Sequence, residues 1–314
     1  LCFVLLSSIV CPSYSISNTV LPIKTDEISP KYWEDQARKV FAEAEKILPD
    51  MAEGAKKAKN VILFLGDGMG LPTISAGRFY ADDTKTGQPV KFSFEDWEFN
   101  TVARTYDLET MVTDSASTKT RTGMLGVTGA IKVKECVDYS DAVKTVSVLT
   151  AAAKAGKSTG IVTTARVTHA SPSGADIAKD CSPASSCPCV DLAQQLALQN
   201  LDINVILGGG QGKFYPDSAN LPINSSMKGQ RKDGKDLASL LAASHLPYVL
   251  DRPSGEPSLV DLTAKAIEIL RKNPNGFFLF VEGGRIDHAL AELLEMEEAV
   301  KKAVSMVDTE ETLI

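Results

Sequence analysis

From Asn60 onward the chain repeats one pattern: a short aliphatic or β-branched run, then a longer stretch with apolar residues every three or four positions. That alternation is how a mostly parallel sheet flanked by helices reads, because parallel strands need long crossovers between them. The fold class is therefore α/β, with a mostly parallel central sheet and helices on both faces. Strands are predicted at Val61 to Leu65, Ser158 to Thr164, Asn204 to Leu207, Pro247 to Leu250, Phe277 to Val281 and Thr312 to Ile314. Several are continuous apolar runs suited to burial on both faces, which predicts central strands. Helices are predicted at Pro30 to Ile47, Asp191 to Asn200, Lys235 to Ser244, Leu259 to Lys272 and Leu290 to Val307. In the last, Leu293, Met296, Val300, Val304 and Val307 form the apolar stripe, with Glu295, Glu298, Lys301 and Lys302 on other faces.

With 314 residues, 44% of them hydrophobic and no repeat of fixed period, the chain can bury a substantial core. A net charge of −7 without a five-residue cluster of positive charge argues against a protein that tracks nucleic-acid phosphates. The opening LCFVLLSSIVCPSYS has the apolar run and small-residue zone of a secretory signal, too short for a membrane span. Residues 1–15 are expected to be a partial signal peptide and 16–314 one domain. The missing initiator Met puts the start inside that signal, and the apolar ending at Thr312-Leu-Ile reads as a break inside a strand. Removal of Cys2 and Cys11 leaves Cys136, Cys181, Cys187 and Cys189, whose even number in an oxidising compartment favours two disulfides over a zinc ribbon.

Four segments carry candidate chemistry. Asp67 lies in NVILFLGDGMG, directly after a buried strand, where open α/β sheets place their ligands. Gly-Asp-Gly is also an ordinary turn, and the motif by itself leaves the two roles level. In FFLFVEGGRIDH, Glu282 and Asp287 are separated by a Gly-Gly turn that lets both carboxylates face one point. Three acids gathered at neighbouring strand ends would repel one another unless a dication sat among them. Oxygen ligands favour Mg²⁺ and a nearby imidazole favours Zn²⁺. Ser115 in VTDSASTKTRTGM precedes a stretch that can start a helix, where an anion is favoured; the same position suits a simple N-cap. In TTARVTHASPSG, His169 and Ser171 share another strand-end loop. Ser171 offers Mg²⁺ a hydroxyl ligand, whereas His169 alone reads equally as a structural histidine.

Taken together, NVILFLGDGMG, VTDSAS, GIVTTARVTHASP, VILGGG and LFVEGGRIDH resemble the alkaline phosphatase family in order and spacing, from about Asn60 to Ile314. The resemblance implies an alkaline-phosphatase-like fold and hydrolysis of phosphate monoesters by in-line attack of Ser115, through a phosphoserine later released to water. It implies two Zn²⁺ and one Mg²⁺. Asp67 matches the carboxylate bridging a zinc and the magnesium, Ser171 and Glu282 match the other magnesium ligands, and Asp287 matches a ligand of the second zinc. His169 matches a residue beside the magnesium shell. It aligns Cys136 with Cys189 as one disulfide and leaves Cys181 to pair with Cys187. It further implies a small phosphate monoester as partner, a location that is secreted or on the extracellular face of the cell membrane, a lipid anchor on a later C-terminal segment as a candidate attachment, and a homodimer as a candidate assembly.

Three departures separate this chain from that pattern. The Asn-Arg pair expected after THASP is not visible, and Lys179 is the nearest cation. Ala291 stands four residues after Asp287, where a zinc-binding histidine is expected; His288 is adjacent to Asp287 but is expected to be directed differently. The chain also stops before the later zinc ligands. Slow hydrolysis by this chain is the expectation. The rival readings are a catalytically silent binding protein, and a phosphodiesterase or sulfatase on a related scaffold, which the Asp-Ser-Ala context of Ser115 disfavours.

Overall fold

A computed structural model describes residues 30–47, 57–85, 90–97, 147–169, 171–172, 192–199, 203–222, 224–231, 234, 236–237 and 246–314. In chain order the main elements are α1 (Pro30–Ile47), β1 (Asn60–Gly66), α2 (Leu71–Lys85), α3 (Val148–Lys154), β2 (Ser158–Arg166), α4 (Leu192–Gln199), β3 (Val205–Gly209), β4 (Asn220–Leu221), β5 (Asn224–Lys228), α5 (Leu259–Leu270), β6 (Phe277–Gly283), α6 (Leu290–Met306) and β7 (Thr312–Leu313). Among the described residues the main sheet has five strands in the order β3-β2-β6-β1-β7, and every pairing is parallel. β4 and β5 form a separate antiparallel pair.

The α/β reading holds, and its physical basis is clearest in β6. All seven residues of FFLFVEG are buried. Alternate side chains enter opposite cores: Phe277, Leu279 and Val281 pack with Ala266, Ile267 and Leu270 of α5 and with Leu293, Met296 and Ala299 of α6. Phe278 and Phe280 pack on the other face with Leu149 of α3 and Ala193 and Leu196 of α4. A strand covered on both faces needs no polar alternation, which is why its sequence runs apolar without a break. Leu270 is fully buried at the seam of α5 with the sheet. A Leu270→Ala substitution should cost about 2–5 kcal/mol, read as a lower urea midpoint at unchanged slope.

Several boundaries differ from the sequence reading. Pro247 to Leu250 forms no strand; a 3-10 turn at Val249–Asp251 replaces it. Pro247 lacks the N–H that a sheet requires, and Val249 donates its own N–H to Glu292 Oε1 at 2.6 Å. Among the described residues, β3 and β7 lie at the ends of the sheet, so only β1, β2 and β6 are central. The helix expected over Lys235 to Ser244 lies outside the described residues except for Asp236 and Leu237, which are not helical. α2 and α3 were not legible, the first because LPTISAGRFYADDTK shows little apolar stripe and leaves Leu71 and Phe79 exposed. α3 is capped by Ser147, whose side chain accepts from Thr150 N–H.

The stripe on α6 is also wider at one end than expected. Leu293, Met296 and Val300 are buried, whereas Val304 is exposed. Glu295, expected on an outer face, is 7% exposed, and Glu292 and Glu297 are buried with it. Each holds a neighbouring loop: Glu292 accepts from Val249 N–H, Glu295 pairs with Arg252, and Glu297 accepts from the Ser93 N–H and hydroxyl. Buried acids of this kind persist because each meets a donor or a cation. Cys136, Cys181, Cys187, Cys189, Ser115 and Lys179 lie outside the described residues.

Candidate metal centre

The strand order builds the site. β6 lies between β1 and β2, with Glu282 opposite Leu65 on one side and Thr163 on the other. β1 ends at Gly66, so Asp67 rises from the C-terminal edge, where its N–H donates to Gly283 carbonyl at 2.9 Å. Arg166 ends β2, and the following turn closes with His169 N–H donating to Arg166 carbonyl at 2.8 Å. Three strand ends remote in sequence thus converge. The ligand atoms of Asp67, His169 and Glu282 all lie within 4.8 Å of one another.

Glu282 is the unusual member. Its side chain is fully buried, yet Oε1 has no donor at hydrogen-bonding geometry among the described residues. Oε2 accepts from the Thr163 hydroxyl, which in turn accepts from Ala165 N–H at 2.8 Å. Burial above all pushes its pKa up to about 7; the Asp67 charge adds to this, while Thr163 and the Ser171 hydroxyl oppose it. Ser171 is 4% exposed and faces the same carboxylate. A buried carboxylate with one oxygen left without a donor, beside a second carboxylate, is costly, and a dication in their midst would satisfy both.

Asp67 is fixed from the far side of the site. Its carbonyl accepts from Ile286 N–H at 2.8 Å, and Oδ2 accepts from Arg285 N–H at 3.3 Å. Arg285 makes that contact from a left-handed backbone, φ 61, a conformation that costs energy for any residue with a Cβ. Its guanidinium donates to Leu246 carbonyl at 2.8 Å and sits 4.2 Å over the Tyr248 ring. His169 is held below the ordinary imidazole range, chiefly by burial and then by the Arg166 charge, so it stays neutral at physiological pH. A neutral imidazole can serve as a metal ligand, and a ring nitrogen of His169 lies within 4.8 Å of both carboxylates.

Asp287 stands beside this cluster. Its carboxylate packs on Gly68, where an added Cβ would lie 2.3 Å from Oδ1, and Gly68 has φ +75. Glycine is required there on both counts. His288 brings Nε2 to 3.8 Å from Asp287 Oδ2, and the turn after Arg285 closes with His288 N–H on Arg285 carbonyl at 3.0 Å. Ala291 is buried in the first turn of α6. The sequence reading missed Thr163, Arg285 and Tyr248. The Thr163-Thr164 pair inside an otherwise apolar strand was the available signal for the first; nothing local distinguishes the other two.

Fold and site together define a parallel α/β protein with a cluster of Asp67, His169 and Glu282 that could hold a metal ion at the C-terminal edge of its sheet. The model of the alkaline phosphatase family matches residues 58–254 and 237–314. The alkaline phosphatase of Gadus morhua is 35% identical, over 91% of this chain and 73% of its own length. The tissue-nonspecific isozyme of Homo sapiens is 33% identical, over 95% of this chain and 68% of its own. Among solved structures, the alkaline phosphatase of Thermus thermophilus superposes with a TM-score of 0.63 at 26% identity, covering 82% of this chain and 58% of that one. The cold-active enzyme from Shewanella sp. gives 0.57 at 27%, over 78% and 64%. The chain belongs to the alkaline phosphatase family, whose members are phosphomonoester hydrolases; it spans a little under two thirds of these solved relatives.

Proposed function

We propose that this chain acts on phosphate monoesters through a phosphoserine at Ser115, with Asp67, Ser171 and Glu282 holding a magnesium ion and Asp287 serving a zinc ion. The observation that carries the reading is the convergence of a fully buried, donor-poor Glu282 with Asp67, His169 and Ser171 at one strand edge. The residues fit the group. The oxygen donors suit Mg²⁺, and the paired zinc ions of the family would supply charge stabilisation at the phosphoryl oxygens. Asp67 is held in place by Arg285 N–H, Glu282 by Thr163, and Asp287 by its seat on Gly68. Ser115 Oγ would bond to phosphorus as the ester P–O bond breaks on the opposite side, the serine proton passing through solvent to the departing oxygen so that the alcohol leaves neutral; water would then cleave the phosphoserine to release phosphate and restore the hydroxyl. Among the described residues no helix is long and apolar enough to cross a membrane. The leader-like start and four further cysteines support a secreted or cell-surface location.

Labelling tests the reading. With Zn²⁺ and Mg²⁺ supplied, acid-quenched protein incubated with a ³²P-labelled monoester should carry label on Ser115, and a Ser115→Ala chain should carry none. Hydrolysis without label at Ser115 would overturn it. A second reading, a silent member that binds ligands at the cell surface, is favoured by Ala291 in place of a zinc-binding histidine. Neither label nor hydrolysis, with monoester binding retained, is its signature.

A further inference from the structure

The segment before α5 and the turn after β6 are joined by more than packing. Arg285 donates to Leu246 carbonyl at 2.8 Å and covers the Tyr248 ring, Leu246 N–H donates to Thr164 carbonyl at 2.9 Å, and Val249 N–H donates to Glu292 at 2.6 Å. Tyr248 is thereby fixed on both sides in sequence. Its hydroxyl lies 3.2 Å from His288 Nδ1, and the opposite ring nitrogen, Nε2, lies 3.8 Å from Asp287 Oδ2. An imidazole with a polar partner on one nitrogen and a carboxylate near the other is the arrangement that prepares histidine to bind a metal.

We infer that Asp287 and His288 form a two-residue zinc site in this chain, with Tyr248 as the positioning residue that sets the imidazole tautomer. Zinc bonds of about 2.0–2.2 Å in a tetrahedral shell place neighbouring ligand atoms roughly 3.3–3.5 Å apart, so a 3.8 Å pair closes on an ion with a shift of a few tenths of an ångström. Metal on Nε2 requires the ring proton on Nδ1, and Nδ1–H then donates to the Tyr248 oxygen. Both side chains are about half exposed, 51% for Asp287 and 59% for His288, so the ion enters from solvent and water completes its shell. The site rests on the proposed zinc-side role of Asp287, and it gives that carboxylate the imidazole that Ala291 does not provide.

The test is metal binding by the full chain, measured by zinc competition against a chromogenic chelator and by ¹⁵N NMR of the histidine rings. On zinc addition the Nε2 resonance of His288 should move to the position of a metal-bound nitrogen while Nδ1 keeps its proton. His288→Ala and His288→Asn should each weaken zinc binding tenfold or more, and Tyr248→Phe should weaken it by about tenfold. Magnesium binding that depends on Glu282 should be unchanged in all three, which also reports that the site around it is folded. Unaltered zinc affinity in both His288 variants, or an Nε2 signal that zinc does not move, overturns the site. Unaltered affinity in Tyr248→Phe overturns the role of the tyrosine. Failure of the magnesium reading shows separately, as Mg²⁺ binding that survives Glu282→Gln.

Discussion

A Glu282→Gln chain should lose magnesium binding by on the order of 100-fold or more and, without metal, should be more stable than the parent at alkaline pH. Both results come from one buried carboxylate. In the metal-free fold its pKa stands at about 7 against an ordinary 4.5, chiefly because burial disfavours the charge. The raised value means that the folded state holds the proton more tightly than the unfolded chain. Its stabilising effect is complete below pH 4.5 and is lost as pH rises through about 7, a swing on the order of 3 kcal/mol. The amide introduced by Glu282→Gln has no such proton to lose, so that slope should vanish from the variant. Saturating Mg²⁺ should reverse the order, because the parent gains binding free energy that the variant cannot. Urea melts at pH 5 and pH 8.5, with EDTA and with Mg²⁺, together with calorimetric titration, read all four corners. A variant that matches the parent in EDTA at both pH values and binds Mg²⁺ equally well would show that Glu282 is neither strained nor a ligand.

Turnover should be far below that of the Gadus morhua enzyme measured alongside, by at least roughly 10²- to 10³-fold in kcat, the usual effect of losing one preorganised charge-stabilising group. Two features of the sequence lead there. Lys179 stands nearest to where the family resemblance places a phosphate-facing arginine, and an ammonium cannot reproduce the planar two-point contact of a guanidinium. Ala291 supplies no ligand where a zinc histidine is expected, so the zinc proposed beside Asp287 would rely on fewer protein ligands than the three usual at catalytic zinc. Losses within one constellation do not multiply, which is why the bound is set by a single group. A chromogenic monoester assay at alkaline pH with added Zn²⁺ and Mg²⁺ measures it. Rates within tenfold of the Gadus morhua enzyme, abolished by Ser115→Ala, would show that other groups compensate.

The type of most described elements was legible because periodicity is local, and so were the positions of several candidate ligands at strand ends. The apolar run Phe277 to Val281 of β6 follows from burial on two faces, and the candidate ligands lie at or just beyond strand ends: Asp67 after NVILFLG, Glu282 near the end of FFLFVEG, His169 after the strand ending at Arg166. Capped helices with a clear apolar side, such as Leu259–Leu270, were equally plain. α2 was missed because its own apolar stripe is weak; two other errors fell where a long-range partner is present. Val249 was drawn from a strand into a turn by Glu292, and Glu295 was buried on α6 by Arg252.

What the sequence determined by itself is thus the set of strands and the residues at their ends, since periodicity and strand-end turns are properties of neighbours along the chain. Only the tertiary structure decided that β6, late in the sequence, enters between β1 and β2. That insertion brings Thr163 onto Glu282, Arg285 N–H onto Asp67 and Tyr248 onto His288. It also sets the charge state of the site, because the raised pKa of Glu282 comes first from its burial and then from Asp67, a carboxylate more than two hundred residues away along the chain. Desolvation and charge proximity depend on what surrounds a group in space, and no short stretch of sequence contains that information.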